Sequence, residues 1–271
     1  MKPKIKVIEI NYLQDCCRKT LASSDAALVE AQLRWLLEDY SLINYNLGYE
    51  RPIWRGRKCN SPSGFQNIRE LSYPPIELTK AGRLNNHEHP LLYAAFHNFC
   101  ALEEIGAKEG DYIHLVGYRI KETRKLRCCV VGEVLNVHRS GQAWLSIELG
   151  QELNNILNKI PTAEGRSFVY IDAFFSSILR DKKAASNDYL HSRILGTLLL
   201  EKLPGLDAIL YPSVALENSM NIAVIPESVD TLLEVFGTTV VRVERTYDYG
   251  IFDFSIVRNA KGFSGELIEW G

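Results

Sequence analysis

Three short segments of the chain carry side chains of the kinds that bind phosphate and stabilise developing positive charge. They are Trp54-Arg55-Gly56-Arg57, then Gly82-Arg83-Leu84-Asn85 with Tyr93 and Glu104 after it, and Tyr211-Pro212-Ser213 with Asn221 after it. Arginine offers a planar fork of donors that suits paired phosphate oxygens. A carboxylate can stabilise positive charge as it develops, and a tyrosine offers a stacking face and a hydroxyl. These segments are therefore the candidates for a functional site.

Other common site motifs are absent from the sequence. There is no GxGxxG, no Walker lysine loop, no GxSxG and no HExxH. His87 and His89 are two residues apart, so on a strand they would point to opposite sides, and no third ligand is suitably spaced. We therefore expect a solvated loop there and no metal. Ser213 has no predicted His–acid pair, which argues against a nucleophile.

Composition places the chain among ordinary globular proteins. Its 271 residues are 46% hydrophobic and 24% charged, with a net charge of -2. This balance argues against general nucleic-acid binding but allows a local basic pocket. The six cysteines form no CxxC spacing, so we expect free thiols in a reducing compartment. We see no secretory signal pattern and no apolar run of about 18 residues, so we expect a cytoplasmic protein with no membrane contact.

Periodicity predicts an alternation of helices and strands without strict βαβ order. We expect a helical region over 11–46, with Ser23 or Ser24 as a cap, and a loop-rich stretch over 50–90. For 91–105 the short apolar run leaves two alternatives open, a strand followed by a helix or one long helix. The remaining expected strands are 112–118, 127–134, 143–147, 168–173, 208–211, 221–225, 238–245 and 251–257, and the remaining helices are 151–158 and 188–203. This mixture predicts an α+β fold.

The three candidate segments, in this order, resemble the RES-domain family. That family has an aromatic-Arg element, then Gly-Arg-Trp-Asn, apolar-Tyr and Ala-Leu-x-Glu, and finally Asp-Gly-Ile-x-Tyr-x-Ser with a later Asn. The chain departs from the pattern at Leu84, where the family has Trp, and at Ala208, where Gly is common. The resemblance covers residues 50–245, with a long departure between Glu104 and about Tyr189.

The resemblance implies a fold and an activity. The fold is an ADP-ribosyltransferase-like core with mixed or antiparallel sheets and flanking helices, and for 91–105 it favours a strand followed by a helix. The activity is cleavage of NAD at its nicotinamide–ribose bond, with water or inorganic phosphate as acceptor. NAD is then a substrate, and no cofactor is bound permanently. Transfer of ADP-ribose to a protein or nucleic acid is the alternative, and a non-enzymatic interaction module is the third. Many members are growth-inhibiting toxins with a cognate antitoxin partner.

The resemblance also assigns roles to individual residues. Arg55, Tyr93, Glu104 and Ser213 are the expected catalytic residues, and Arg83, Asn221 and Arg57 the expected NAD-binding residues. Arg57 can take the place of either other arginine. Glu103 lies one helical step, about 100°, from Glu104 and is expected in solvent. We expect Arg55, Glu104 and Ser213 to converge around one ribose.

The resemblance divides the chain into three consecutive segments. They are a helical extension over 1–49, a catalytic domain over 50–245 with an insertion at about 106–187, and a C-terminal strand and tail over 246–271. The extension and the insertion can replace an antitoxin, form a homo-oligomer or shape substrate choice, and the sequence leaves these alternatives open.

Overall fold

A computed structural model describes residues 7–38, 40–48 and 50–271 of the chain. The helices are α1 Ile10–Ala22, α2 Ala26–Glu38, α3 Asn98–Glu104, α4 Glu133–Ser140, α5 Ile147–Lys159, α6 Thr162–Leu179, α7 Leu190–Lys202 and α8 Pro226–Leu232. The strands are β1 Ile43–Leu47, β2 Ile53–Cys59, β3 Leu92–Ala95, β4 Tyr112–Ile120, β5 Leu126–Val130, β6 Ala208–Pro212, β7 Met220–Val224, β8 Leu233–Tyr247, β9 Ile251–Ser264 and β10 Leu267–Trp270. The predicted α+β class, with a large sheet and flanking helices, is confirmed.

The chain forms two compact units that interleave along the sequence. The first unit comprises Met1–Tyr45, Lys80–His87 and Cys129–Pro212, and the second comprises Asn46–Thr79, Glu88–Cys128 and Ser213–Gly271. The three consecutive segments expected from the sequence (1–49, 50–245 and 246–271) stay a prediction. Residues 1–6, 39 and 49 of the expected N-terminal extension lie outside the described residues.

The second unit is built on an antiparallel sheet. Its strands neighbour one another in the order β7-β3-β2-β4-β8-β9-β10. Strand β4 is buried along most of its length, as expected for a strand covered on both faces. On one face, Leu102 of α3 packs with Ile113, Leu115 and Val241. This cluster fixes α3, and with it Glu104, against the sheet.

A glycine lets α3 approach strand β2 closely. A Cβ at Gly56 would lie 3.0 Å from Ile105 Cδ1 and 3.4 Å from the carbonyl oxygen of Ala101. Contacts that short require neighbouring atoms to move, so a larger residue would push the helix away from the strand. The glycine of the Trp54–Arg57 segment therefore has a packing role.

The first unit is mainly helical and contains a buried carboxylate. Asp172 of α6 is 1% exposed. It accepts hydrogen bonds from Gly132 N at 2.9 Å, Leu135 N at 2.8 Å and the Tyr40 hydroxyl at 2.9 Å. The two backbone donors belong to the start of α4, where N–H groups have no partner within the helix. Asp172 thus caps α4 and links it to the chain after α2.

Two predictions about the N-terminal region are wrong in part. The helical region expected over 11–46 ends at Glu38, and β1 occupies Ile43–Leu47. The cap of α2 is neither Ser23 nor Ser24, because Asp25 Oδ1 accepts from Ala27 N at 2.9 Å. An aspartate one position further along caps the helix in the same way.

The strands expected over 143–147 and 168–173 are wrong. The first segment leads into α5, and the second lies within α6. The buried positions of α6 include Phe168, Ile171, Phe175 and Leu179. Their spacing of three and four residues is that of one helix face, which a short apolar run hides. The strand expected over 127–134 stops at Val130, because α4 begins at Glu133.

Other predicted elements are confirmed. The segment 91–105 is strand β3 followed by helix α3, whose N-cap is His97. The helix expected over 188–203 is α7, and the strands expected over 238–245 and 251–257 lie within β8 and β9, which pair with each other through the turn Asp248–Gly250. The sequence analysis did not identify α8 or β10.

Three further properties apply to the described residues. No helix there combines the length and apolarity needed to cross a membrane. All six cysteines are free thiols, as expected. No group of three His, Cys, Asp or Glu side chains in the described part of the chain could hold a metal ion.

Candidate functional site

The carboxylate of Glu104 is the acceptor at the centre of a hydrogen-bond network in the second unit. Its Oε1 accepts from Ser213 Oγ at 2.6 Å and from Asn221 Nδ2 at 2.5 Å. Ser213 and Asn221 are each 3% exposed, whereas Glu104 is exposed. Both donors converge on one oxygen, and Oε2 accepts no hydrogen bond from the described residues. The carboxylate is therefore held by one oxygen and presents the other.

The end of α3 and a turn after β6 bring two of these groups together. The α3 helix is short and begins at His97, whose Nδ1 accepts from Phe99 N at 3.2 Å. Ser213 directly follows β6, and its Oγ accepts from Ala215 N at 3.1 Å and Leu216 N at 3.0 Å. A serine that accepts two backbone N–H groups fixes the turn that carries it. The hydroxyl donates its one proton to Glu104 and accepts two backbone N–H groups, so its donor and both acceptor positions are occupied.

The third member of the network, Asn221, comes from strand β7. Its Oδ1 accepts a hydrogen bond from Cys100 Sγ at 3.5 Å. Cys100 is fully buried and packs with Ala95, Ala101 and Trp54. Burial raises the pKa of the Cys100 thiol, and the nearby side chains of Ser213 and Ser219 offset this only in part. The thiol is therefore protonated and can act as a donor.

Tyr93 lies on the same face of the sheet as Asn221. Tyr93 is paired with Ala223, and Ala95 with Asn221, in the antiparallel register of β3 and β7. Residues paired across strands share a face, and so do residues two apart on one strand. Diagonal neighbours of this kind lie roughly 7–8 Å apart. The predicted residues Tyr93, Glu104, Ser213 and Asn221 are thus brought to one area of the second unit.

Arg55 contacts the backbone of β3, the strand that carries Tyr93. Its Nη1 donates to the carbonyl oxygen of Tyr93 at 3.0 Å. Trp54 is paired with Ala95, so Trp54 faces the side of Tyr93 and the adjacent Arg55 leaves β2 on the other side. Its Nε is buried without a partner among the described residues. Burial lowers the pKa of Arg55, and nearby Arg57 lowers it further.

The other two predicted arginines have partners within the chain. Arg57 is exposed, donates to the carbonyl oxygen of Glu70, and has its guanidinium carbon 4.4 Å from the centre of the Phe65 ring. Arg83 belongs to the first unit, where its Nη1 donates to the carbonyl oxygens of Leu179 at 2.9 Å and Asp181 at 3.0 Å. The second unit therefore holds six of the seven predicted site residues, and the NAD-binding roles of these arginines stay predictions.

The expectation that Glu103 is the solvated neighbour of Glu104 is wrong. Glu103 is half-buried, and a Cβ at Gly250 would lie 3.2 Å from its Cγ. Glu104 is the more exposed of the two. The turn between β8 and β9 covers Glu103, which no sequence pattern near α3 could indicate.

Sequence reasoning missed the residues that hold the predicted ones. Cys100 appeared only as a free thiol, and Tyr118 only as part of a strand. The hydroxyl of Tyr118 donates to the carbonyl oxygen of Leu71 at 3.2 Å, and Tyr118 lies close enough to Arg55 to favour its charged form. The position of Cys100 within the Tyr93–Glu104 segment was the one available signal.

One of three comparisons with known proteins, the match to a family sequence model, agrees with the sequence resemblance. A comparison with curated proteins finds no match. Among solved structures, the chain is similar to a chain of the M. tuberculosis MbcT–MbcA toxin–antitoxin complex, with a TM-score of 0.34 and 9% sequence identity, over 78% of this chain and 92% of that one. The sequence model of the RES domain matches residues 52–245. Because that match spans most of the chain and all seven predicted site residues, the chain belongs to the RES domain family.

Proposed function

We propose that this chain degrades NAD by cleaving its nicotinamide–ribose bond. The observation that carries the proposal is the carboxylate of Glu104, which Ser213 and Asn221 hold by Oε1 while Oε2 has no partner among the described residues. Membership of the RES family supplies the substrate class.

The chemistry of the bond explains why a held carboxylate matters. As nicotinamide leaves, positive charge develops on the ribose, as it does in glycoside hydrolysis. A negative group fixed before the reaction stabilises that charge without a reorganisation cost. Oε2 of Glu104 is the oxygen available to a ribose carbon or hydroxyl. The donors on Oε1 keep the carboxylate in one orientation.

The remaining predicted residues would bind and orient the dinucleotide. Tyr93 lies on the face of Asn221 and offers a ring for stacking on nicotinamide. Arg55 and Arg57 are the proposed ligands of the pyrophosphate, because a guanidinium pairs with two phosphate oxygens; the binding role of Arg83, in the first unit, stays a prediction from the family pattern. Each would add the ligand to its present contacts or exchange a contact for it.

The acceptor of the ADP-ribosyl group defines the reaction further. Water gives a glycohydrolase, and inorganic phosphate as co-substrate gives a phosphorylase. Transfer to a protein or nucleic acid is the alternative activity. In a cytoplasm any of these reactions on free NAD would deplete it, so we propose a growth-inhibiting toxin whose partner is a cognate antitoxin.

The purified chain tests the proposal directly. It is incubated with NAD in the presence and absence of inorganic phosphate, and free nicotinamide is measured. Release in both conditions indicates hydrolysis, release only with phosphate indicates phosphorolysis, and a labelled NAD that marks a macromolecule indicates transfer. If no nicotinamide appears under any of these conditions, the proposal is wrong. Intracellular NAD during expression, compared with a Glu104→Ala variant, tests the toxin role.

A further inference from the structure

The amide of Asn221 has a definite orientation, and two neighbours set it. Its nitrogen faces Glu104 Oε1 at 2.5 Å, and its oxygen faces Cys100 Sγ at 3.5 Å. An amide rotated by 180° has almost the same shape, so packing alone does not choose between the two orientations. A rotated amide would place two acceptor oxygens against each other at Glu104.

The thiol of Cys100 is the donor that complements this orientation. Cys100 is 0% exposed and packs with Ala95, Ala101 and Trp54, and its thiol is the group that donates to the amide oxygen of Asn221. A buried carbonyl oxygen without a donor is costly. Within the described residues, Cys100 is the donor to Asn221 Oδ1. The network is thus a chain from the thiol through the amide to the carboxylate.

We propose that Cys100 is a positioning residue: its thiol fixes the amide of Asn221, which in turn holds Oε1 of Glu104. The catalytic consequence rests on the proposed function, whereas the orientation of the amide does not. Without the thiol, Oδ1 loses its donor and the amide is free to rotate away from Glu104. Ser213 then remains the one described donor to the carboxylate.

Three variants separate positioning from packing. Cys100→Ala removes the donor, and Cys100→Ser keeps a donating group. Cys59→Ala is the matched control, because the half-buried Cys59 thiol in the same unit donates to the Tyr112 carbonyl oxygen at 3.4 Å, outside the network.

The kinetic arm measures kcat and KM for NAD in each variant. We expect kcat of Cys100→Ala to fall about 3- to 10-fold, the size of one hydrogen-bond contribution, with KM within about twofold of the parent. Cys100→Ser recovers most of kcat, and Cys59→Ala keeps it. If Cys100 only packed, kcat of Cys100→Ser would be no higher than kcat of Cys100→Ala, because a serine hydroxyl in an apolar cluster is at least as disruptive as alanine. Equal kcat in the alanine and serine variants would overturn the proposal.

A spectroscopic arm tests the orientation even in a chain that releases no nicotinamide. The side-chain amide signal of Asn221 is followed by NMR with 15N-asparagine labelling and assigned from an Asn221→Ser variant. We expect a protected, shifted signal in the parent, in Cys100→Ser and in Cys59→Ala, and loss of protection in Cys100→Ala. An unchanged signal in Cys100→Ala contradicts the proposal whatever the enzymatic result. If the NMR signals behave as expected but no nicotinamide is released, the proposed function is contradicted and the positioning role of Cys100 is not.

Discussion

Replacing Glu104 by glutamine removes a negative charge while keeping the length of the side chain. In the parent, Ser213 Oγ and Asn221 Nδ2 both donate to Oε1 of Glu104, and the amide oxygen of the glutamine can still accept from both. Glu104 is exposed, so little packing is lost. The melting temperature should therefore change by no more than about 2–4 °C, which corresponds to roughly 1 kcal/mol in a chain of this size.

The catalytic loss follows from the surroundings of the carboxylate. Two unit charges 4 Å apart interact by about 1 kcal/mol in bulk water and by about 4 kcal/mol near a protein surface. Glu104 is exposed, but its two donors are buried, so an intermediate value of about 2.7 kcal/mol applies. That value corresponds to a fall of about 10²-fold in the rate of nicotinamide release, at the lower end for a well-placed electrostatic group.

The assay compares Glu104→Gln with Glu103→Gln, which makes the same change one residue away. Nicotinamide release is measured at saturating NAD, and circular dichroism confirms that both variants are folded. We expect the Glu103 variant to keep its rate within about threefold, since its side chain faces the β8–β9 turn. A Glu104→Gln rate within threefold of the parent would refute the electrostatic argument, as would equal losses in both variants.

The remaining predictions concern the arginine, the serine and two buried titratable groups. Arg55→Met removes the hydrogen bond to the Tyr93 carbonyl oxygen, but it also removes a buried Nε that has no partner among the described residues. The free energy of unfolding, measured by urea titration, should therefore change by less than about 1 kcal/mol. The KM for NAD, measured by steady-state kinetics, should rise. Ser213→Ala removes one donor to Glu104 and the acceptor of two backbone N–H groups, so unfolding should be easier by about 1–2 kcal/mol and nicotinamide release about tenfold slower. Burial, aided by the charge of Arg258, lowers the pKa of His114 from 6.5 to about 4. The unfolded chain therefore takes up the proton first, so the stability should fall as the pH drops from about 6.5 to about 4. The loss should be smaller in His114→Leu. Burial raises the pKa of Asp172 above 3.8; the folded state then takes up the proton first, so the destabilisation by Asp172→Asn in urea should be largest in acid and shrink as the pH rises.

The sequence alone identified the family and the types of residue at the site. Arg55, Tyr93, Glu104, Ser213 and Asn221 lie in segments whose order is itself distinctive, and the family match spans them. The strand and helix over 91–105 were also predictable, because the family resemblance of this segment favours a strand followed by a helix. Such signals are local, so one sequence is enough to read them.

Local signals failed where tertiary burial determined the element. Phe168 to Ala173 looks like a strand in isolation, yet its buried residues follow a helical spacing that becomes evident only over the eighteen residues of α6. The capping role of Asp172 was equally hidden, because its partners at Gly132 and Leu135 lie far away in sequence.

The tertiary structure alone determined how the site is held. Ser213 and Asn221 lie more than a hundred residues from Glu104 along the chain, yet both donate to the same oxygen. Cys100 precedes Glu104 by one helical turn, but its contact is to β7. Hydrogen-bond geometry depends on strand register and helix placement, which arise from packing of the whole unit. Residue identities can therefore be predicted from a sequence, whereas the orientation of a carboxylate follows only from the folded sheet.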